Sequence, residues 1–343
     1  MAQVMAFDYG DLPDSGPGTG PNNYQTQTAD NGPSHKIYPG LKLGASVDTE
    51  PDGQQSALAN GDGADENGIA AFPQFAAGQA ATIDISAMNM TPEAAVIYGY
   101  FDWNKDGDFN DPNEKYSVAI PTGFNGTIPI TVNVPANAVL NMNLGARFRL
   151  STDDVAAGTS EGPAPDGEVE DYLIQVISID YGDLADSDTP GSYPTNANDG
   201  GEGVGPSHVI VDGLKLGNVV VGEPAAVPST NADGDDNNGT PDDEDGVTLP
   251  MFIANQTANV PVSGMNMSGG DAKLTVFIDW NKDGDFNDAG EMYFTTVSDG
   301  TNGIINLPVA VPLNATLNTA LGVRVRLSTD PVASMSPTGP APD

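Results

Sequence analysis

The chain has 343 residues and a formal net charge of −37, from 48 Asp and Glu against 11 Lys and Arg. So acidic a surface repels nucleic acid and anionic membrane, and its self-repulsion opposes a compact fold unless counter-ions bind. With no cysteine, disulfides, thiolate metal sites and cysteine nucleophiles are all excluded.

The length suits two ordinary domains, and 38% hydrophobic residues with clear alternation argue against disorder. The opening stretch Met1-Ala-Gln-Val-Met-Ala-Phe7 has neither the basic nor the apolar region of a signal peptide. No run reaches transmembrane length, so membrane insertion is not expected. Gly (41) and Pro (28) interrupt the chain too often for long helices.

Taken in order, the chain repeats itself. Asp8-Tyr-Gly-Asp-Leu12 returns as Asp180-Tyr-Gly-Asp-Leu184, and Gly32-Pro-Ser-His35 as Gly205-Pro-Ser-His208. Gly40-Leu-Lys-Leu-Gly44 returns as Gly213-Leu-Lys-Leu-Gly217, and Met88-Asn-Met90 as Met265-Asn-Met267. A period this long means whole domains in series, 1–178 and 179–343, and not a short-period solenoid. Thr82-Ile-Asp-Ile-Ser86 alternates as a half-buried strand does. Ala95 to Phe101 and Leu274 to Ile278 are rich in β-branched and aromatic residues and also read as strands.

Each of those two strands runs into the same ten residues, Asp102 to Asp111 and Asp279 to Asp288. Oxygen-bearing side chains recur at every second position: Asp102, Asn104, Asp106, and again Asp279, Asn281, Asp283. Gly107 and Gly284 follow, then Asp108 and Asp285, with Asp111, Glu114, Asp288 and Glu291 downstream. Oxygens at positions 1, 3 and 5 with glycine at 6 suit a hard cation with six to eight oxygen ligands, and Ca2+ is the expected metal. The match to an EF-hand is partial, because the later carboxylates fall at positions 10 and 13 and strands, not helices, flank the loop. A calcium loop hung on a strand is therefore expected, the alternative being a solvated acidic turn.

Beyond the loops, Ile128, Ile130, Val132 and Val134 share one face, and Ile305, Leu307, Val309 and Val311 repeat the pattern. Pro129 and Pro308 within these runs predict edge strands, since proline cannot donate to a ladder. Ala146, Phe148 and Leu150 alternate with Arg147 and Arg149, as Val323, Val325 and Leu327 do with Arg324 and Arg326. These are all four arginines of the chain, and residues i and i+2 share a strand face. Each pair is expected to compensate nearby carboxylates in preference to recognising a ligand. Gly158-Thr-Ser-Glu-Gly162 fits a hydrolase nucleophile elbow only formally, because no strand-to-helix context surrounds it. Glu168 to Tyr181 is the longest uninterrupted run and reads as a central strand. The whole predicts an all-β chain of two tandem antiparallel β-sandwich domains with calcium-binding loops.

The run Asp166-Gly-Glu-Val-Glu-Asp-Tyr172 resembles the signature of the GEVED domain. The opening Asp-Tyr-Gly-Asp-Leu, the Gly-Pro-Ser-His and Asp-Gly-Asp-Phe-Asn-Asp elements, and the Arg-Leu-Ser-Thr before the tail are similar to that pattern too. The mid-domain acidic run Asp242-Asp-Glu-Asp-Gly-Val247 also resembles the family, while the first repeat keeps only Asp62, Asp65, Glu66 and Gly68 there. The resemblance implies a β-rich, non-catalytic module of bacterial secreted and cell-surface proteins. It supplies no ligand.

A second acidic set, Asp8, Asp11, Asp14, Asp62, Asp65, Glu66, Glu168, Glu170 and Asp171, is a candidate for a further cation or for a solvated rim. Its counterpart is Asp180, Asp183, Asp186, Asp233, Asp235, Asp236, Asp242, Asp243, Glu244 and Asp245. His35 and His208 stand alone and are expected to be structural hydrogen-bonders. The functional expectation is a calcium-stabilised structural or adhesive module of an extracellular surface protein or fibre. A carbohydrate-binding accessory of a secreted hydrolase is the alternative. Expected partners are copies of itself, flanking domains, or surface glycans and proteins. Repeat two stops at Asp343, the counterpart of Asp166, whereas Gln3 to Tyr9 matches Gln175 to Tyr181 in register. Two explanations stand equal: the N-terminal segment completes the second domain of another molecule, head to tail, or the chain is a cut from a longer array.

Overall fold

The computed structural model describes residues 5–61, 63, 67–186, 193–196, 204–234 and 244–343. The chain divides into two compact units, Met1–Ile177 and Ser178–Asp343.

Unit 1 contains β1 (Phe7–Tyr9), β2 (Ser34–Lys36), β3 (Leu41–Leu43), β4 (Phe75–Ala76), β5 (Ala80–Asn89) and β6 (Ala95–Phe101). There follow β7 (Lys115–Ile120), β8 (Phe124–Asn133), β9 (Leu144–Ser151), the one-turn α1 (Asp154–Ala157), β10 (Pro163–Ala164), β11 (Glu168–Ile174) and β12 (Val176–Ile177). Two antiparallel sheets, ordered β3-β5-β8 and β11-β9-β6-β7, enclose the core. Ile83 and Ile85 of β5 face Ile97 of β6 and Phe148 and Leu150 of β9 there, all fully buried. Burying each such side chain contributes about 1.5–3 kcal/mol. The alternation read from the sequence is thus a core face and a solvent face. Pro129 lies in β8, a terminal strand, as its missing N–H demands.

A third layer, β1-β2-β10, lies over the outer face of the second sheet. It accounts for one correction. The run from Glu168 to Tyr181 is not a central strand: β11 ends its sheet, β12 pairs in parallel with β4, and the rest opens unit 2. Its burial on both sides comes from the core beneath and the β1–β2 layer above, which composition cannot tell from flanking strands.

Unit 2 repeats the plan. Its elements are β13 (Ile179–Tyr181), β14 (Ser207–Val209), β15 (Leu214–Leu216), β16 (Thr257–Asn266), β17 (Ala272–Ile278), β18 (Met292–Val297), β19 (Thr301–Ala310), β20 (Val323–Ser328), α2 (Pro331–Ser334) and β21 (Pro340–Ala341). Sheets β15-β16-β19 and β18-β17-β20 enclose a second core, with β13-β14-β21 as the outer layer. Pro308 again lies in a terminal strand, β19. Among the described residues no helix is long and apolar enough to cross a membrane.

Candidate metal loops at the strand ends

The loop after β6 is fastened at both ends by buried carboxylates. Asp102 is fully buried, and its oxygens accept from the N–H groups of Asp106 (3.1 Å) and Gly107 (3.0 Å) and from the Tyr24 hydroxyl (2.8 Å). Glu114, 1% exposed, accepts from the N–H groups of Trp103 and Asp111, both at 3.1 Å. The indole N–H of Trp103 then donates to the Asn113 carbonyl at 2.9 Å, closing the loop on the core. Backbone amides therefore face these carboxylates. Burial pushes Asp102 above the usual carboxylate range and Glu114 up to about 8.

Between them, each side chain of the oxygen ladder turns back on the backbone. Asn104 accepts from Asp106 N–H, Asp106 from Asp108 N–H, and Asp108 from Asn110 N–H, at 2.9–3.1 Å. The Asn104 amide donates to Asp106 Oδ2 (3.0 Å) and Asp111 Oδ2 (2.6 Å), drawing two carboxylates together around one polar hydrogen-bearing group. Tight curvature puts Lys105 at φ 59° and Gly107 at φ 89°. A Cβ on Gly107 would also lie 1.9 Å from the Gly20 carbonyl, so only glycine fits.

The loop after β17 repeats this pattern and adds a bond from Lys282 N–H to Asp279. Asp279 accepts from Gly284 N–H (3.0 Å) and the Tyr193 hydroxyl (2.8 Å), and Glu291 from Trp280 N–H (2.9 Å). Asn281 donates to Asp283 (2.8 Å) and Asp288 (2.6 Å), and Asp285 accepts from Asn287 N–H (2.7 Å). Burial raises Glu291 above the usual carboxylate range. The donor set is all oxygen, carboxylate and amide, which by chemistry suits a hard divalent cation. Among the described residues, however, no three acidic or histidine side chains already converge as a metal-binding group.

The tyrosines were missed from the sequence. Tyr24 is 1% exposed, stacks on Phe109 at 5.6 Å, and accepts from Gly145 N–H (2.9 Å) while donating to Asp102. Tyr193 does the same with Phe286 (5.2 Å), Gly322 N–H (3.0 Å) and Asp279. Burial, then the neighbouring aspartate, raises both phenols, so each stays a donor. The recurring Tyr-x-Thr of Tyr24 and Tyr193 was the available signal.

The described members of the second acidic set accept hydrogen bonds as follows. Asp171 makes a two-pronged pair with Arg147 (2.7 and 2.9 Å) and accepts from the N–H groups of Asp11 and Leu12. Asp8 accepts from Val169 N–H, Glu168 from Leu43 N–H, and Glu170 from the N–H groups of Asn67 and Gly68. Asp14 receives the N–H groups of Thr26 and Gln27, and Asp11 that of Gly61. In unit 2, Asp183 receives Gly234 N–H, Asp186 the N–H groups of Thr195 and Asn196, Asp233 the Ser229 hydroxyl, and Asp245 the Asn218 N–H. Asp180 pairs with His208 in the β13–β14 ladder. Asp62, Asp65, Glu66, Asp235, Asp236, Asp242 and Asp243 lie outside the described residues, as does the side chain of Glu244.

Charge compensation describes Arg147 but not its neighbour. Arg149, fully buried, donates to the carbonyls of Ala156, Thr159, Glu161 and Gly162 (2.6–3.2 Å) and to His35 Nε2 (2.9 Å). The other ring nitrogen of His35 reaches the Asp166 carbonyl at 2.8 Å, so the imidazole is neutral, with Nδ1 protonated. Burial and then Arg149 hold its pKa well below the usual range. Arg326 and His208 repeat the pair at 2.9 Å, with His208 lowered to about 4. The histidines are structural hydrogen-bonders, as expected. The Ser160 hydroxyl donates to the carboxylate of its neighbour Glu161, not to a histidine.

Two facing sheets with an outer layer and an acidic loop at one strand end define a tandem all-β module. The GEVED domain model matches it twice, over residues 96–175 and 273–343, and the chain carries two GEVED domains in tandem. No curated protein matches the chain in sequence. The crystal structure of CBD12 from CALX1.2 aligns over 76% of this chain and 78% of that one, at 8% identity and a TM-score of 0.21. The crystal structure of calcium binding domain CBD12 of CALX1.1 aligns over 72% and 74%, also at 8% identity and 0.21. Likeness at that level bears on neither fold nor function.

Proposed function

We propose that each GEVED domain is a calcium-stabilised, non-catalytic structural module of a bacterial extracellular surface protein. The observation that carries this is the pair of buried carboxylates at each loop, Asp102 with Glu114 and Asp279 with Glu291, in a chain of net charge −37. Burial opposes ionisation of such groups unless a cation is near. Asp102, Asn104, Asp106, Asp111 and Glu114 would hold the ion in unit 1, and Asp279, Asn281, Asp283, Asp288 and Glu291 in unit 2. When bound, calcium supplies positive charge that ties the end of β6 or β17 to the start of the following strand. Loops of this modest charge suit the millimolar calcium found outside cells.

Adhesion, with this module as a spacer or binding face, is the finer reading. A carbohydrate-binding role is less favoured: Trp103 is 2% exposed and Trp280 4%, so neither offers a stacking platform. The test is melting in calcium against a chelator, with calorimetric titration of calcium. A ligand that binds only the folded state at a hundredfold excess over its Kd stabilises by about 2.7 kcal/mol. For units of this size that is about 5–11 °C in Tm. Equal melting in calcium and in chelator, with no heat of binding, would end the proposal.

A further inference from the structure

The first aspartate of each loop is held in a closed ring of hydrogen bonds. Asp102 N–H donates to the Gly145 carbonyl (3.0 Å), and Gly145 N–H donates to the Tyr24 hydroxyl (2.9 Å). That hydroxyl donates back to Asp102 Oδ2 at 2.8 Å. Unit 2 repeats the ring with Asp279, Gly322 and Tyr193, at 3.1, 3.0 and 2.8 Å. The phenol fits because residues 145 and 322 have no side chain. A Cβ on Gly145 would lie 2.6 Å from Cζ of Tyr24, and one on Gly322 closer still to that of Tyr193. Each tyrosine also stacks on its loop's own phenylalanine, Phe109 or Phe286. Those rings carry the guanidinium groups of Arg147 (5.8 Å) and Arg324 (5.5 Å) in turn.

This ring decides which carboxylate oxygen serves the loop. Oδ2 accepts from the tyrosine and from Gly107 or Gly284 N–H, which uses both its lone pairs. Oδ1 is thereby turned to the loop, where the amide of Asp106 points at it in unit 1 and those of Lys282 and Asp283 in unit 2. The tyrosine stands outside the oxygen ladder and acts through the aspartate.

We infer, on the calcium reading above, that Tyr24 and Tyr193 are positioning residues for the ion, each holding the first aspartate of its loop with Oδ1 presented to it. A determinant of calcium affinity therefore lies 78 residues before the loop in unit 1 and 86 before it in unit 2. A carboxylate already fixed needs no reorientation when the ion arrives. One released from its phenol turns about its own bonds, and that freedom is lost on binding. Removing the hydrogen-bond partner of a metal ligand weakens metal affinity by about tenfold to a hundredfold.

The experiment titrates calcium into the intact chain by calorimetry, well below its melting range, with hydrogen exchange at residues 102–111 and 279–288 assigning each site. The wild type is expected to bind one ion per unit. Tyr24→Phe should weaken the unit 1 site by about tenfold or more and leave the other unchanged, and Tyr193→Phe should do the reverse. A role confined to packing would lower the melting temperature and leave the affinity of the folded chain as it was. Gly145→Ala tests the same point by another route: it displaces the phenol, keeps the hydroxyl, and should weaken the same site as Tyr24→Phe. Should Tyr24→Phe leave unit 1 unfolded, Tyr193→Phe in unit 2 decides. Wild-type affinity in the folded variants overturns the inference and leaves the calcium reading standing. A wild type that binds no calcium overturns both.

Discussion

Tyr24→Phe removes one oxygen and leaves the ring. The stacking on Phe109 survives, so packing is nearly unchanged. What goes is the 2.8 Å bond to Asp102 and the 2.9 Å bond from Gly145 N–H. A hydrogen bond to a charged group contributes about 1.5–3 kcal/mol, and an unpaired buried amide costs about 1–3 kcal/mol. These overlap, because Asp102 keeps its bonds from Asp106 and Gly107. A net loss of about 2–4 kcal/mol is expected, which at about 2–4 °C per kcal/mol lowers the unit 1 transition by about 4–16 °C. Calorimetry reads the shift, and hydrogen exchange assigns it, with faster exchange at β6 and β9 but not at β17 and β20. Tyr193→Phe should give the mirror image, so each unit is the control for the other. A shift under about 2 °C, or equal loss in both units, would refute the reasoning.

Gly107→Ala should cost unit 1 about 2–4 kcal/mol, since its Cβ meets the Gly20 carbonyl and its φ is left-handed. Gly123→Ala, left-handed too but with nothing within 4 Å, should cost only about 1 kcal/mol, and equal urea midpoints for the two would contradict this. Acid should destabilise unit 2 through His208. Its folded pKa of about 4 lies below the unfolded 6.5, so the unfolded state takes the proton first and stability falls as pH drops from 6.5 towards 4. A shift from 6.5 to about 4 corresponds to about 3 kcal/mol at most. The difference between wild type and His208→Gln isolates it, and parallel pH profiles for the two would count against it.

The parts of this molecule legible in the sequence are those with a local period. Ile83 and Ile85, or Phe148 and Leu150, announce a buried face because the next residue but one repeats it. The oxygen ladder of Asp102, Asn104 and Asp106 is local too. What escaped were contacts closed over long separations. Tyr24 meets Asp102 across 78 residues, and no local pattern marks either as the other's partner. The rank of β11 within its sheet escaped for a different reason: a covering layer and a flanking strand bury a residue equally well. The second acidic set reads from the sequence equally as a further cation site or a solvated rim. Its partners lie far along the chain and could not be read locally: Glu168 accepts from Leu43 N–H, Glu170 from Gly68 N–H, and Asp171 from the Arg147 guanidinium.

Arg149 and Arg326 are held by peptide carbonyls and an imidazole in a chain that carries 48 acidic residues. Ion pairs near a surface weaken as salt screens them. Carbonyl dipoles clasped around a buried guanidinium carry no net charge for salt to screen. They also cannot be protonated. The fastening between β9 or β20 and the loop that follows it therefore holds from fresh water to brine, and the imidazole is the member that titrates on the acid side.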